Sequence, residues 1–236
     1  MAVEQVVALL KAVTGLLGVL IWPTVVLFIL VRFGPSLRDF FGSLGELTFK
    51  AAGVEATAKR RQVEAAVALG AAVAMSPNAA SETPAQAVSR ARDVAEMVAE
   101  RVNARTVRLT KGRRVLWVDD RPLNNVFERR SLEALGIEFD TSTSTEDALT
   151  CLAKHAYAAV ISDMGRPPDK QAGYTLLDAM RARGDRTPFV IYAGSNMLEH
   201  REMARTRGAI GSTNRADELF QLVLAAVGAD GKSISR

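Results

Sequence analysis

From Arg113 onward the chain repeats one alternation five times, a short apolar run followed by a helical stretch, and this constrains the fold more than any other feature. Val115, Leu116, Trp117 and Val118 run without interruption into Asp119 and Asp120. An apolar run of that length without a polar face is the pattern of a strand buried on both sides. Helical sequence follows from Pro122 to Leu135, Gly136 ends it, and Ile137 to Asp140 form a second strand. The pattern then gives a helix at Thr145 to His155, a strand at Ala158 to Asp163, a helix at Tyr174 to Arg183 and a strand at Phe189 to Tyr192. A helix at Leu198 to Thr206, a short strand at Ala209 to Thr213 and a last helix at Ala216 to Val227 complete it. Strands alternating with helices predict an α/β domain with a doubly wound five-stranded parallel sheet.

In such a sheet ligands sit beyond the carboxyl ends of the strands, at the point where strand order reverses. Asp119 and Asp120 end the first strand and Asp163 ends the third, so they converge on one acidic pocket. A lone aspartate at a strand end is most often a turn or cap. Three converging carboxylates repel one another and call for a cation, and an all-oxygen donor set suits Mg²⁺. A bound metal also lets one carboxylate act as a nucleophile toward a phosphoryl donor.

VLWVDD, VISDMGRP, TPFVIYAGS and GAIGSTNR, taken in order, resemble the strand ends of a response-regulator receiver domain, over about residues 113–228, roughly half the chain. The resemblance implies a receiver or flavodoxin-like fold. It implies Asp163 as phosphoacceptor, Asp119 and Asp120 as the acidic metal pair, and Gly165 as the residue whose backbone carbonyl completes the Mg²⁺ shell. Pro167 matches the proline after the acceptor loop. The family carries Ser or Thr at the end of strand four and Lys at the end of strand five. Here those positions hold Ala193 and Arg215, with Ser195 two residues on as a substitute hydroxyl, and the loop from Gly165 to Gly173 is longer than the family's. Ser195 and Arg215 are therefore the expected phosphoryl contacts of a partly degenerate receiver.

The N-terminal half reads differently. Lys11 and Arg32 bracket the uncharged stretch Ala12 to Val31, long enough for one bilayer crossing. A transmembrane anchor is expected over 1–35. A cleaved signal peptide is the rival reading, but its core is shorter and ends in small residues, whereas this one meets Arg32 and Phe33; a buried soluble helix is the other. The basic flank of Arg32, Arg38, Lys50, Lys59, Arg60 and Arg61 favours a C-terminal bulk in the cytoplasm of a single-pass bacterial inner-membrane protein. Over 36–58, Leu37, Phe40, Phe41 and Leu44 recur at helical spacing, as in an interfacial helix or one packing on a second chain. Glu46 to Ala58 alternates as a small β-hairpin would. Residues 59–110 predict a helical hairpin or stalk, with Thr83 and Pro84 starting its second helix and Val88, Ala91, Ala95, Val98 and Val102 as a coiled-coil-like seam. Residues 229–236 form a tail.

Composition excludes several functions. Hydrophobic residues are 48% and charged residues 24%, which excludes a disordered or fibrous chain. Thirty basic against 26 acidic residues leave a formal charge of only +4, and no basic patch interleaved with aromatics argues for nucleic acid. One cysteine, Cys151, and two histidines, His155 and His200, exclude a cysteine or histidine metal cluster. No Ser/His/Asp set or glycine-rich phosphate loop argues for an enzyme. The expected function is a membrane-anchored signalling protein whose degenerate receiver-like domain acts as a protein-interaction or ligand-sensing module. A second reading has Asp163 phosphorylated by a histidine kinase. A third makes the chain an oligomeric gated membrane effector in stress or phage defence. The expected partners are the membrane, a histidine kinase or other signalling protein, and further copies of the chain.

Overall fold

The central strands are made by residues with no polar face to offer. In β1 (Arg114–Val118) Val115 and Trp117 face one side of the sheet and Leu116 and Val118 the other, and all four are buried. The same division holds in β3 (Ala159–Ser162) and β4 (Phe189–Tyr192). Ala159, Ile161 and Val190 join the core of the first face, and Val160, Phe189 and Ile191 that of the second. Period-two side chains thus feed two cores at once. Burying each large aliphatic or aromatic side chain contributes roughly 1.5–3 kcal/mol. The edge strands β2 (Glu138–Ser142) and β5 (Gly211–Thr213) complete a wholly parallel sheet ordered β2-β1-β3-β4-β5.

The computed structural model describes residues 52–76, 83–194 and 197–233. On the second face lie α5 (Thr145–Lys154), α6 (Ala172–Ala182) and α7 (Leu198–Thr206), contributing Ala148, Leu176, Leu177, Met180 and Ala204. On the first lie α4 (Val126–Glu133), preceded by a 3₁₀ turn at Pro122–Asn125, and α8 (Ala216–Ser233), whose Leu219, Phe220, Val223 and Val227 are buried.

Three further helices continue that first core outward: α1 (Ala52–Ala74), α2 (Pro84–Arg101) and the short α3 (Ala104–Thr110). Ala65, Leu69, Ala72 and Val73 of α1 and Val94 and Val98 of α2 belong to one cluster with Trp117, Leu132 and Phe220. Gln62 ties α1 to the end of α2, its Nε2 donating to the carbonyls of Ala99 and Val102 at 2.9 and 3.0 Å. Thr83 and Gln86 form a reciprocal capping box, with Pro84 in the first turn, so α2 begins where its sequence signal places it. Val54–Arg236 forms one compact unit.

Two expectations are corrected. Residues 54–58, expected to form the second arm of the hairpin after Gly53, belong to the first turns of α1. Val54 favours a strand, but it stands alone among Ala52, Ala56 and Ala58, and alanine is the best helix former. The buried stripe Ala58, Ala65, Leu69 and Ala72 has helical spacing. The seam is Val94 and Val98 of α2 with its C-cap Val102, all buried, whereas Val88 is 65% exposed and Ala91 and Ala95 face solvent. The expected crossing at Ala12–Val31, the interfacial helix and the first arm of the hairpin lie outside the described residues, among which no helix is long and apolar enough to cross a membrane.

Candidate acidic site at the switch point

The sheet order reverses between β1 and β3, and the pairing of Val118 with Ser162 brings the next residue of each strand side by side. The ladder runs on through both: Asp119 N–H donates to the Ser142 carbonyl and Asp163 N–H to that of Val118, each at 2.9 Å. Ligand oxygens of Asp119, Asp120 and Asp163 all lie within 4.8 Å of one another. The three aspartates that the sequence singles out are therefore brought together, and Gly165 lines the same cavity.

Each carboxylate is held differently. Asp119 is buried, and both its oxygens are occupied: Oδ1 accepts from the Arg121 backbone N–H and Oδ2 from Asn125 Nδ2, each at 2.6 Å. Asp120 is half-buried, with Arg121 Nε 3.7 Å from its Oδ2. Asp163 accepts the Met164 N–H on Oδ1 at 2.7 Å. Burial, with help from Asp119 and Asp120, pushes the Asp163 carboxyl above the usual carboxylate range, against the pull of that N–H and of Arg166.

The loop after Asp163 is built around a buried arginine. Arg166 is 3% exposed; its Nη1 donates to Ser162 Oγ at 2.7 Å and the Asp163 carbonyl at 2.8 Å, and its Nη2 to Thr145 Oγ1 and the Ala172 carbonyl. This guanidinium sits behind the aspartates as a fixed positive charge. The loop closes through Arg166 N–H to the Asp169 carbonyl and Gly173 N–H to the Met164 carbonyl, both at 2.9 Å. At Gly173 a Cβ would lie 2.9 Å from the Asp163 carbonyl oxygen and 3.1 Å from Met164 Cα, so only glycine lets α6 start this close to the acidic residue.

The cavity over the aspartates has a volume of about 870 Å³. Its far wall is Glu128 on α4, 8% exposed, whose Oε1 accepts the Tyr192 hydroxyl at 2.9 Å. Burial raises both groups above their ordinary values. Tyr192 stacks edge-on against Trp117 with ring centroids 6.0 Å apart. The rim includes Ala72, Met75 and Ser76 from the end of α1.

Other expected residues fall elsewhere. Ala193 lines the cavity and brings no hydroxyl, and Ser195 lies outside the described residues. Arg215 does not line this cavity: its Nε donates to Asp217 Oδ1 at 3.1 Å, Nη1 lies 3.8 Å from Glu218 Oε1, and it faces neighbouring clefts with Arg90. Asn214 takes the strand-five place in the lining. Sequence reading missed Arg121, Asn125, Glu128, Tyr192 and Arg166. Asn125 had a signal, an amide six residues after a candidate ligand, at the end of the 3₁₀ turn that follows it. The others had none, because only the folded pairing of β4 with α4 and of the loop with β3 gives them roles.

The fold and site define a doubly wound α/β module with an acidic strand-edge pocket. No family model matches the sequence, and no curated protein matches it. Solved structures similar to part of the chain are receiver domains. One from a Francisella response regulator is 21% identical, covering 50% of this chain and 99% of its own, with a TM-score of 0.46. A Thermotoga maritima response regulator in complex with Mg(2+)-BeF is 23% identical over 48% of this chain and 98% of its own, TM-score 0.42. The receiver domain of a Pseudomonas aeruginosa sensor histidine kinase, with magnesium coordinated in its active-site cleft, is 22% identical over 50% and 98%, TM-score 0.43.

Proposed function

We propose that the protein is a signalling regulatory module whose acidic pocket holds Mg²⁺ and accepts a phosphoryl group on Asp163. The observation that carries this is the convergence of Asp119, Asp120 and Asp163 within 4.8 Å at the switch point of the sheet. Hard carboxylate oxygens on a strand edge, with Gly165 beside them, fit a Mg²⁺ ion. Bound there, the ion would neutralise charge on an incoming phosphoryl group and let the carboxylates coexist ionised.

The chain's own residues do the rest. The Met164 N–H fixes Asp163 Oδ1, leaving Oδ2 as the attacking oxygen. Oδ2 bonds to phosphorus of a phosphohistidine or small phosphodonor, the P–N or P–O bond breaks, and its electron pair leaves with the donor, which takes a proton. Asp163 then carries an acyl phosphate, and its added charge and bulk bear on the pocket walls. Ala193 has no hydroxyl to follow that group, so the wall formed by Tyr192, Glu128 and the end of α1 carries the response. A second reading, in which the pocket senses a ligand or partner without phosphorylation, is favoured by that same alanine and by the engagement of Arg215 elsewhere.

The full-length protein with Mg²⁺, given beryllofluoride as a phosphoryl mimic, tests this. In a Trp22→Phe background, which leaves Trp117 as the single tryptophan, emission is expected to change, because the Trp117 ring touches Tyr192 on the pocket wall, and Asp163→Asn is expected to abolish the change. Mg²⁺ binding without any beryllofluoride response would leave the second reading.

A further inference from the structure

An anion on Asp163 needs a positive charge beside it, and the position that sequence resemblance assigns to this task does not supply one. Arg215 is held by Asp217 and Glu218 and opens on other clefts. Arg166 is behind the site, its two terminal nitrogens committed to Ser162, the Asp163 carbonyl, Thr145 and the Ala172 carbonyl. Four carboxyl groups line the cavity, those of Asp119, Asp120, Glu128 and Asp163. Among the described residues lining it, Arg121 is the only lysine or arginine.

Arg121 is also placed for the task. Its backbone is pinned at the rim, the N–H donating to Asp119 Oδ1 at 2.6 Å. Its side chain borders the cavity with Nε 3.7 Å from Asp120 Oδ2, and at 75% exposed it keeps the freedom to swing. An arginine fork presents paired N–H donors that match two oxygens of one phosphoryl group. We propose that Arg121, from the loop after β1, is the cation that pairs with the phosphoryl group on Asp163, replacing a cation from the end of β5.

The inference rests on the phosphoryl reading above. Without the anion, Arg121 neutralises Asp120 and opposes metal binding; with it, Arg121 turns to the anion. Removing its charge therefore moves the two affinities in opposite directions, which loss of folding would not do.

The test uses the full-length protein, with calorimetric Mg²⁺ titration and then beryllofluoride titration at saturating Mg²⁺, read by Trp117 emission. Arg121→Gln is expected to weaken beryllofluoride binding by about tenfold or more, the scale of one charge-assisted contact, while Mg²⁺ binds as well as or better than in the wild type. Arg121→Lys is expected to fall between, and Arg215→Gln to bind both as the wild type does. Wild-type beryllofluoride affinity in Arg121→Gln, or its loss in Arg215→Gln, would overturn the assignment while leaving the phosphoryl reading standing. A wild-type protein that binds Mg²⁺ but no beryllofluoride would overturn both.

Discussion

Asp163 is a carboxylate that the fold makes uncomfortable. Burial and two neighbouring aspartates raise its proton affinity, and one N–H and a buried arginine compensate only in part. A carboxyl whose folded pKa is raised binds protons more tightly in the native state, so the contribution of Asp163 to metal-free stability is fully present only at low pH. It is lost as pH rises from the ordinary carboxylate value through the raised one. Asp163→Asn removes that loss. We expect its Tm without Mg²⁺ to exceed the wild type's at neutral pH by about 2–4 °C, the shift that ~1 kcal/mol gives a chain of this size. Below the usual carboxylate range the difference should vanish, and thermal melts across pH would reveal it. Equal melting curves at every pH would show that the carboxylates do not strain one another. The aspartates themselves were legible in the sequence, because each directly ends an apolar run. Arg215 was legible as a position but not as an orientation. The acids Asp217 and Glu218 in the first turn of α8 draw its side chain off the pocket, and their pull was not visible before the turn was built.

At the scale of elements, legibility followed burial. β1, β3 and β4 are buried on both faces, so their runs are continuous and their positions emerge from sequence to within one residue at either end. The short edge strand β5, Gly211–Thr213, emerged two residues too long. The helices before the sheet were harder to read, because α1 buries mostly alanine, and small residues show alternation and helical period equally well. The true stripe carries one large side chain, Leu69, fully buried in the core shared with Trp117 and Phe220. Leu69→Ala should then destabilise the unit by about 2–5 kcal/mol, the usual result of opening a cavity at a buried leucine. The transition to watch is urea unfolding followed by Trp117 emission. If α1 were a separate stalk, the Trp117 midpoint would stay where it is in the wild type.

For the whole molecule, the consequence is that a core and a pocket share one boundary. The end of α1 contributes Ala72 and Val73 to the core and Ala72, Met75 and Ser76 to the rim of the acidic cavity. Ala72 belongs to both, so core and pocket meet at the end of α1. The proposed regulatory role would use this boundary, because the strand-four position, Ala193, has no hydroxyl to couple with.

All of this depends on the pocket being a cation site. The direct measurement is a calorimetric titration of the full-length protein with Mg²⁺, repeated on Asp119→Asn and Asp163→Asn. One ion per chain is expected in the wild type and affinity at least about tenfold weaker in each variant, as follows from losing one of three carboxylate donors. No binding in the wild type, or equal binding in all three proteins, would contradict it.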